Sequence, residues 1–275
     1  MTKRRANILF VVLAYAFFWA LLVITYLIFS NNDQLFPIVV TIDQVVGSWA
    51  PTVALIIMFK KLHPGMTAKA FFRNAFSGRL NLRLLIVVTV ALLLAGVAVA
   101  GIQSFATSVS ITGLFNISIL GVMVEIFSGA TGEEAGWRWH LQQTIEAQRE
   151  NLLKSLLIVG VIWAFWHTPT WLMYLSVPWL IPLDILDKMA LAFIIGICYN
   201  RCRNLFVPMW IHFVANLVAG SLQIDVAYYP WFIALETVVA IGYILWYEKT
   251  KSTGDIPPLA VYDTNESPSQ NYGVR

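Results

Sequence analysis

Three short sets of polar side chains interrupt otherwise apolar sequence. They are Glu133, Glu134 and Arg138 in GEEAGWRWHL, Trp163 and His167 in WAFWH, and His212 and Asn216 in HFVAN. A carboxylate and an imidazole that share one water can polarise it for attack on a carbonyl carbon. A second imidazole and a carboxamide can donate hydrogen bonds to the oxyanion that then develops. Spacing within each set follows the helix repeat: Glu134 with Arg138, Trp163 with His167 and His212 with Asn216 are each four residues apart and share a face. Glu134 and Arg138 can therefore neutralise each other, whereas Glu133, about 100° further round, is free to point elsewhere. Gly132 and Gly136 form a GxxxG pattern that admits a close neighbour and would help bring a histidine to Glu133. The chemistry that these residue types suit is amide hydrolysis in a cavity of low dielectric.

The elements that must position them are membrane spans. Of 275 residues, 59% are hydrophobic and only 12% charged, and the mean hydropathy is +0.71. Soluble domains have about 45–50% apolar and about 25% charged residues, so the composition excludes a soluble domain and implies a polytopic membrane protein. A net charge of +3 does not point to nucleic acid, and two cysteines, Cys198 and Cys202, are too few for a disulfide framework. Because a bilayer core needs about 20 apolar residues per helix, eight spans are expected. They run over about Ile8–Phe29, Phe36–Phe59, Leu84–Ile102, Ile111–Ile145, Leu153–Leu175, Ile181–Tyr199, Leu205–Leu222 and Trp231–Tyr247. Pro169 should kink or end the fifth. The expected fold is all-α, a bundle of about eight transmembrane helices around a polar catalytic cavity.

Lysine and arginine cluster in alternate loops: Lys3–Arg5, the segment from Lys60 to Arg83, Arg149 with Lys154, Arg201 with Arg203, and Lys249 with Lys251. The intervening loops contain neither residue, so the positive-inside rule places both termini in the cytoplasm of a multi-pass cell-membrane protein. Lys61–Leu82 mixes Phe71, Phe72 and Phe76 with basic residues and reads as partly interfacial. Three regions follow: N-terminal spans and a basic loop over 1–110, a catalytic core over 111–248, and a polar, disordered tail over 249–275. Measured from the cytoplasmic ends at 1.5 Å per residue, Glu133, His167, His212 and Asn216 all lie roughly 14–20 Å deep. Three helices thus bring a carboxylate, two imidazoles and an amide to one level, as a single site requires.

In order and spacing these sets resemble the CPBP family, also called ABI, which comprises the type II CAAX prenyl endopeptidases and their bacterial relatives, including bacteriocin-immunity proteins. Glu133-Glu134-x-x-x-Arg138 matches EExxxR, Trp163-x-x-x-His167 matches FxxxH with tryptophan for phenylalanine, and His212-x-x-x-Asn216 matches HxxxN. The resemblance covers about the fourth to the seventh span. It implies a glutamate-dependent intramembrane protease in which Glu133 and His167 activate water and His212 and Asn216 hold the oxyanion. Glu134, Arg138 and Trp163 support the site. A prenylated CAAX tail is the family's eukaryotic-type substrate, and other membrane peptides or bacteriocin immunity are alternatives for bacterial members.

Other readings stay open at this stage. Two histidines and a carboxylate could hold zinc, with Glu133, His167 and His212 as ligands, but H-E-x-x-H is absent and asparagine suits an oxyanion better, so a metal-free mechanism is expected. A proton-coupled transporter would also use buried Glu and His, although clustering at one depth and the absence of an inverted repeat favour hydrolysis. Of the remaining charged and imidazole groups, Asp184 and Lys188 should pair and His63 should be solvated. His140 should cap the site or face headgroups. Asp43, Glu125 and Glu236 are embedded acids that line a cavity or pair structurally. The expected partners are the bilayer and a membrane-embedded or lipidated peptide; the sequence does not fix an oligomeric state.

Overall fold

Helices account for most of the described residues because almost every segment is an apolar run bounded by a cap or a proline. The computed structural model describes residues 2–149, 151–174 and 177–251, and the polar tail expected at the C-terminus lies, from residue 252 on, outside the described residues. α1 spans Lys3–Phe29, α2 Phe36–Gly47, α3 Ala50–Leu62, α4 Ala68–Phe76 and α5 Leu82–Thr107. After a 3₁₀ turn at Ile111–Leu114 come α6 (Ile119–Glu125), π-helical turns at Ile126–Ala130 and Ala135–Gln142, and α7 (Gln143–Arg149). α8 covers Leu152–Trp166, α9 Thr168–Tyr174, α10 Ile181–Cys202, α11 Phe206–Ser221 and α12 Tyr229–Thr250. Side chains of Asn81 and Asn151 cap α5 and α8 by accepting from Leu84 N and Lys154 N, both at 3.0 Å.

Among the described residues, five helical segments are long and apolar enough to cross a membrane: Lys3–Phe29, Phe36–Leu62, Leu82–Thr107, Leu152–Met173 and Val226–Thr250. The other three expected spans depart from that pattern for identifiable reasons. The fourth is broken into α6, π-helical turns and α7. The sixth, α10, carries Asp184, Asp187, Lys188 and Arg201, and the seventh, α11, has only 16 residues. The second span bends at Ser48–Trp49 between α2 and α3. α8 ends at Trp166, just ahead of Pro169.

The basic ends of the helices meet. Asn204 Nδ2 donates to the carbonyls of Phe76 and Gly78, each at 2.9 Å. This ties the α10–α11 turn to α4, which buries Ala75 while Phe72 and Phe76 stay exposed. Arg203 takes a left-handed conformation (φ 50°) at the end of α10, and its Nη2 donates to Glu146 Oε2 at 2.7 Å. Glu146 also accepts from Gln142 Nε2 at 2.7 Å, and Gln142 in turn donates to the Gly196 carbonyl at 3.0 Å. At the opposite end, Asn116 N donates to Ser221 O and Gln223 N to Leu114 O, which fastens the 3₁₀ turn to the end of α11.

Candidate active site

Ser128 leaves helical geometry (φ −89°, ψ −132°) between the two halves of the broken fourth segment. Backbone groups freed by such a break need partners, and the indole of Trp49 supplies one by donating to the Phe127 carbonyl at 2.8 Å. Beyond the break, Gly132 and Gly136 pack against the α2–α3 bend: a Cβ at Gly132 would meet Ser48 O at 2.8 Å, and one at Gly136 would meet Pro51 Cβ at 2.6 Å. The close neighbour of this GxxxG is therefore the bend, not a histidine-bearing helix as its spacing suggested.

Glu133 is almost fully buried, and its Oε2 accepts two indole N–H bonds, from Trp163 at 2.5 Å and Trp137 at 3.2 Å. That leaves Oε1 for the cavity. Glu134, next in sequence, has no exposure and a different fate. Its Oε1 lies 2.7 Å from His212 Nδ1, and its Oε2 lies 3.2 Å from Arg138 Nε at an angle outside hydrogen-bond geometry. The Arg138 guanidinium stacks on the Trp163 ring, 4.7 Å from its centre. The expected Glu134–Arg138 pair thus forms, with His212 as an unforeseen third member.

The partners fix the Nδ1 proton of both histidines. His167 caps the end of α8, and its Nδ1 is 2.9 Å from the Trp163 carbonyl, which can only accept, so Nδ1 carries the proton and Nε2 offers a lone pair. His212 Nδ1–H donates to the Glu134 carboxylate and leaves Nε2 on the cavity side. A Cβ built on Gly129 would stand 2.7 Å from His212 Nε2 and 2.9 Å from Glu133 Oε1, so both atoms converge on one point beside this glycine. The Trp163 ring lies between the two imidazoles, 5.8 Å from His167 and 5.3 Å from His212 between ring centres.

A cavity of about 270 Å³ is lined by Glu133, Trp163, His167, His212 and Asn216, and brings them together with Gln44, Ser48, Ser128, Thr170 and Lys188. Glu134 and Arg138 lie behind this lining. Gln44 comes from α2 and Ser48 from the bend that follows it, neither of which a spacing rule linked to the site. Glu125 faces Asn216, Ser128 and Gln44 and lines a second cavity of about 140 Å³ with Asn116, Ser118 and Gly220. Its place as an acid embedded in the fourth apolar run was the sequence signal for it. Lys188 pairs with Asp187 at 2.5 Å more closely than with its expected partner Asp184, at 3.3 Å. Asp43 faces Thr25 and Glu236 faces Asp187, both away from Glu133. His63 is half-buried rather than fully solvated: its Nε2 lies 3.1 Å from His140 Nδ1, and burial pushes its pKa down to about 4. His140 is buried, against Phe10 and His63.

The architecture defines the class first: a helical membrane protein with a set of buried polar and charged side chains beside a cavity. A family likeness comes from comparison with known proteins. Residues 115–218, the stretch that holds all three polar sets, match the family model described as type II CAAX prenyl endopeptidase Rce1-like. That match supports CAAX-type intramembrane protease activity. No curated protein matches the chain.

Proposed function

We propose that this protein is an intramembrane endopeptidase that hydrolyses a peptide bond near the C-terminus of a membrane-associated substrate, and that it does so without a metal. The observation that carries the reading is the convergence of Glu133 Oε1 and His212 Nε2 on one point beside Gly129, in a cavity shared with His167 and Asn216. Glu133 and His167 activate the water: Oε1 and the Nε2 lone pair are the two acceptors left free by the indole and carbonyl partners described above. As the water attacks, a proton passes to this pair and later to the departing amine. His212, acting as an imidazolium that keeps Nδ1–H on Glu134, donates from Nε2 to the oxyanion, and Asn216 donates through its amide. Glu134, held by Arg138, fixes the His212 ring through Nδ1.

Zinc held by Glu133, His167 and His212 fits these residues poorly. Among the described residues no three His, Cys, Asp or Glu side chains gather closely enough to hold one ion, and two indole donors already occupy Glu133 Oε2. The wider reading is a bundle of about eight spans around a polar catalytic cavity, in the cell membrane with both termini cytoplasmic. The alternation of basic loops supports that orientation.

The test is cleavage by the purified full-length protein of a quenched-fluorescence membrane-peptide panel that includes a farnesylated CAAX tail. Cleavage that survives a strong chelator and is lost in Glu133→Ala is the expected result. Cleavage lost to chelation and restored by zinc would overturn the metal-free mechanism. No cleavage across the panel would favour a bacteriocin-immunity role or a proton-coupled carrier.

A further inference from the structure

The cavity has a closed side and an accessible side, and they correspond to the two ends of the bundle. Toward the basic ends, Trp137, Arg138, Trp139, His140, Gln142 and Glu146 are all buried, none more than 3% exposed. Glu133 stands thirteen residues before Glu146, roughly 20 Å of helix, and Glu146 is itself tied across to Arg203. These buried side chains close the cavity toward the basic ends.

Toward the other end the lining opens. Gln44 is exposed, while Val40, Thr170, Lys188 and Asn216 are half-buried. Val40 lies four residues from the start of α2, roughly 6 Å, and Lys188 seven from the start of α10, roughly 10 Å. Both helices begin at the end without lysine or arginine. The second cavity, lined by Asn116, Glu125 and Ser221, lies at the same end, where Ser221 closes α11.

We infer that the active-site cavity loads from the end opposite the basic loops, so that its substrate is an extended peptide presented at the extracytoplasmic leaflet rather than a lipidated tail arriving from the cytoplasm. This rests on the hydrolytic reading for the word substrate and on the orientation proposed from the basic loops for the word extracytoplasmic. At about 3.3 Å per extended residue, the roughly 10 Å from the outer end to the Lys188 level is bridged by about three residues. The cleaved bond then lies a few residues inside the membrane boundary.

The experiment is thiol labelling of the full chain in cell membranes by a membrane-impermeant maleimide, in a background where Cys198 and Cys202 are serine. Val40→Cys and Thr170→Cys report the rim from two different helices, and Lys69→Cys reports the basic face. In intact cells both rim cysteines should label as fully as after permeabilisation, with Lys69→Cys silent until the membrane is opened. Rim cysteines that label only when Lys69→Cys does, from the cytoplasmic side, would overturn the inference. So would rim cysteines that never label even in opened membranes while Lys69→Cys does. Labelling needs no turnover: a parent that labels as expected but cuts no peptide removes the protease reading and leaves the direction of access standing.

Discussion

Two carboxylate–cation clusters, one behind the cavity and one at its rim, use the same four-residue spacing in opposite surroundings. Behind it, Glu134, Arg138 and His212 are sealed, with side-chain exposures of 0%, 0% and 4%. At the rim, Lys188 and Asp184 keep 20% and 18% exposure, Asp187 keeps 9%, and the Trp171 indole donates to Asp184 Oδ2 at 2.6 Å. Spacing on a helix decides which charges can meet. Access to water decides what the meeting is worth, because a sealed charge that loses its partner has no solvent to turn to, whereas a wetted pair is worth about 0–1 kcal/mol.

The sharpest way to break the contrast is Glu134→Ala. It strands Arg138 in a dry site and removes the anchor of His212, so a loss of about 3–5 kcal/mol is expected, read as a fall in the detergent melting temperature and in folded yield. Glu134→Gln with Arg138→Met, which removes both charges, should recover much of that loss. A Glu134→Ala protein as stable as the parent would mean that the pair does not hold the fold.

Glu133→Ala and His167→Ala probe the space between the clusters. Neither strands a cation, so melting should change little while peptide cleavage falls by about 10²–10⁴-fold. Gly129→Ala is a subtler form of the same test. Its methyl would enter the point that His212 Nε2 and Glu133 Oε1 share, at 2.7 and 2.9 Å, so cleavage should be lost in a protein that still folds. Full activity in Gly129→Ala would separate those two atoms from the reaction. The smallest effect belongs to the rim: Asp184→Asn leaves Lys188 its closer partner Asp187 and keeps an acceptor for Trp171, so stability should move by less than about 1 kcal/mol. A larger drop in its melting temperature would show that the rim is sealed after all and that the two clusters are alike.

The sequence displayed what repeats along one helix and hid what one helix asks of another. Glu134 with Arg138 and the level shared by Glu133, His167 and His212 were legible because helical spacing and rise are properties of a single segment. The Trp137 bond to Glu133 is also a four-residue pair, but beside so many apolar aromatics Trp137 gave no reason to be read as a donor. Gln44 and Ser48 were invisible because the bend between α2 and α3 sets them at the cavity, and nothing in their own neighbourhood mentions it. His63 was misread for the same reason: in sequence it stands among lysines, whereas in space it is covered by Trp139 and His140. The fourth span was legible as apolar but not as broken, since Ser128 departs from helical geometry without a proline to announce it.

One consequence of the Glu133 environment is optical. Two of the eleven tryptophans spend their only side-chain hydrogen-bond donor, the indole N–H, on the same carboxylate oxygen. Any event that adds a proton to Glu133, turns it or presses a bound chain against it alters the polarity felt by both indoles at once. Emission from Trp137 and Trp163 is thus a built-in gauge of the state of this acid, readable in a protein that has been given nothing to cut.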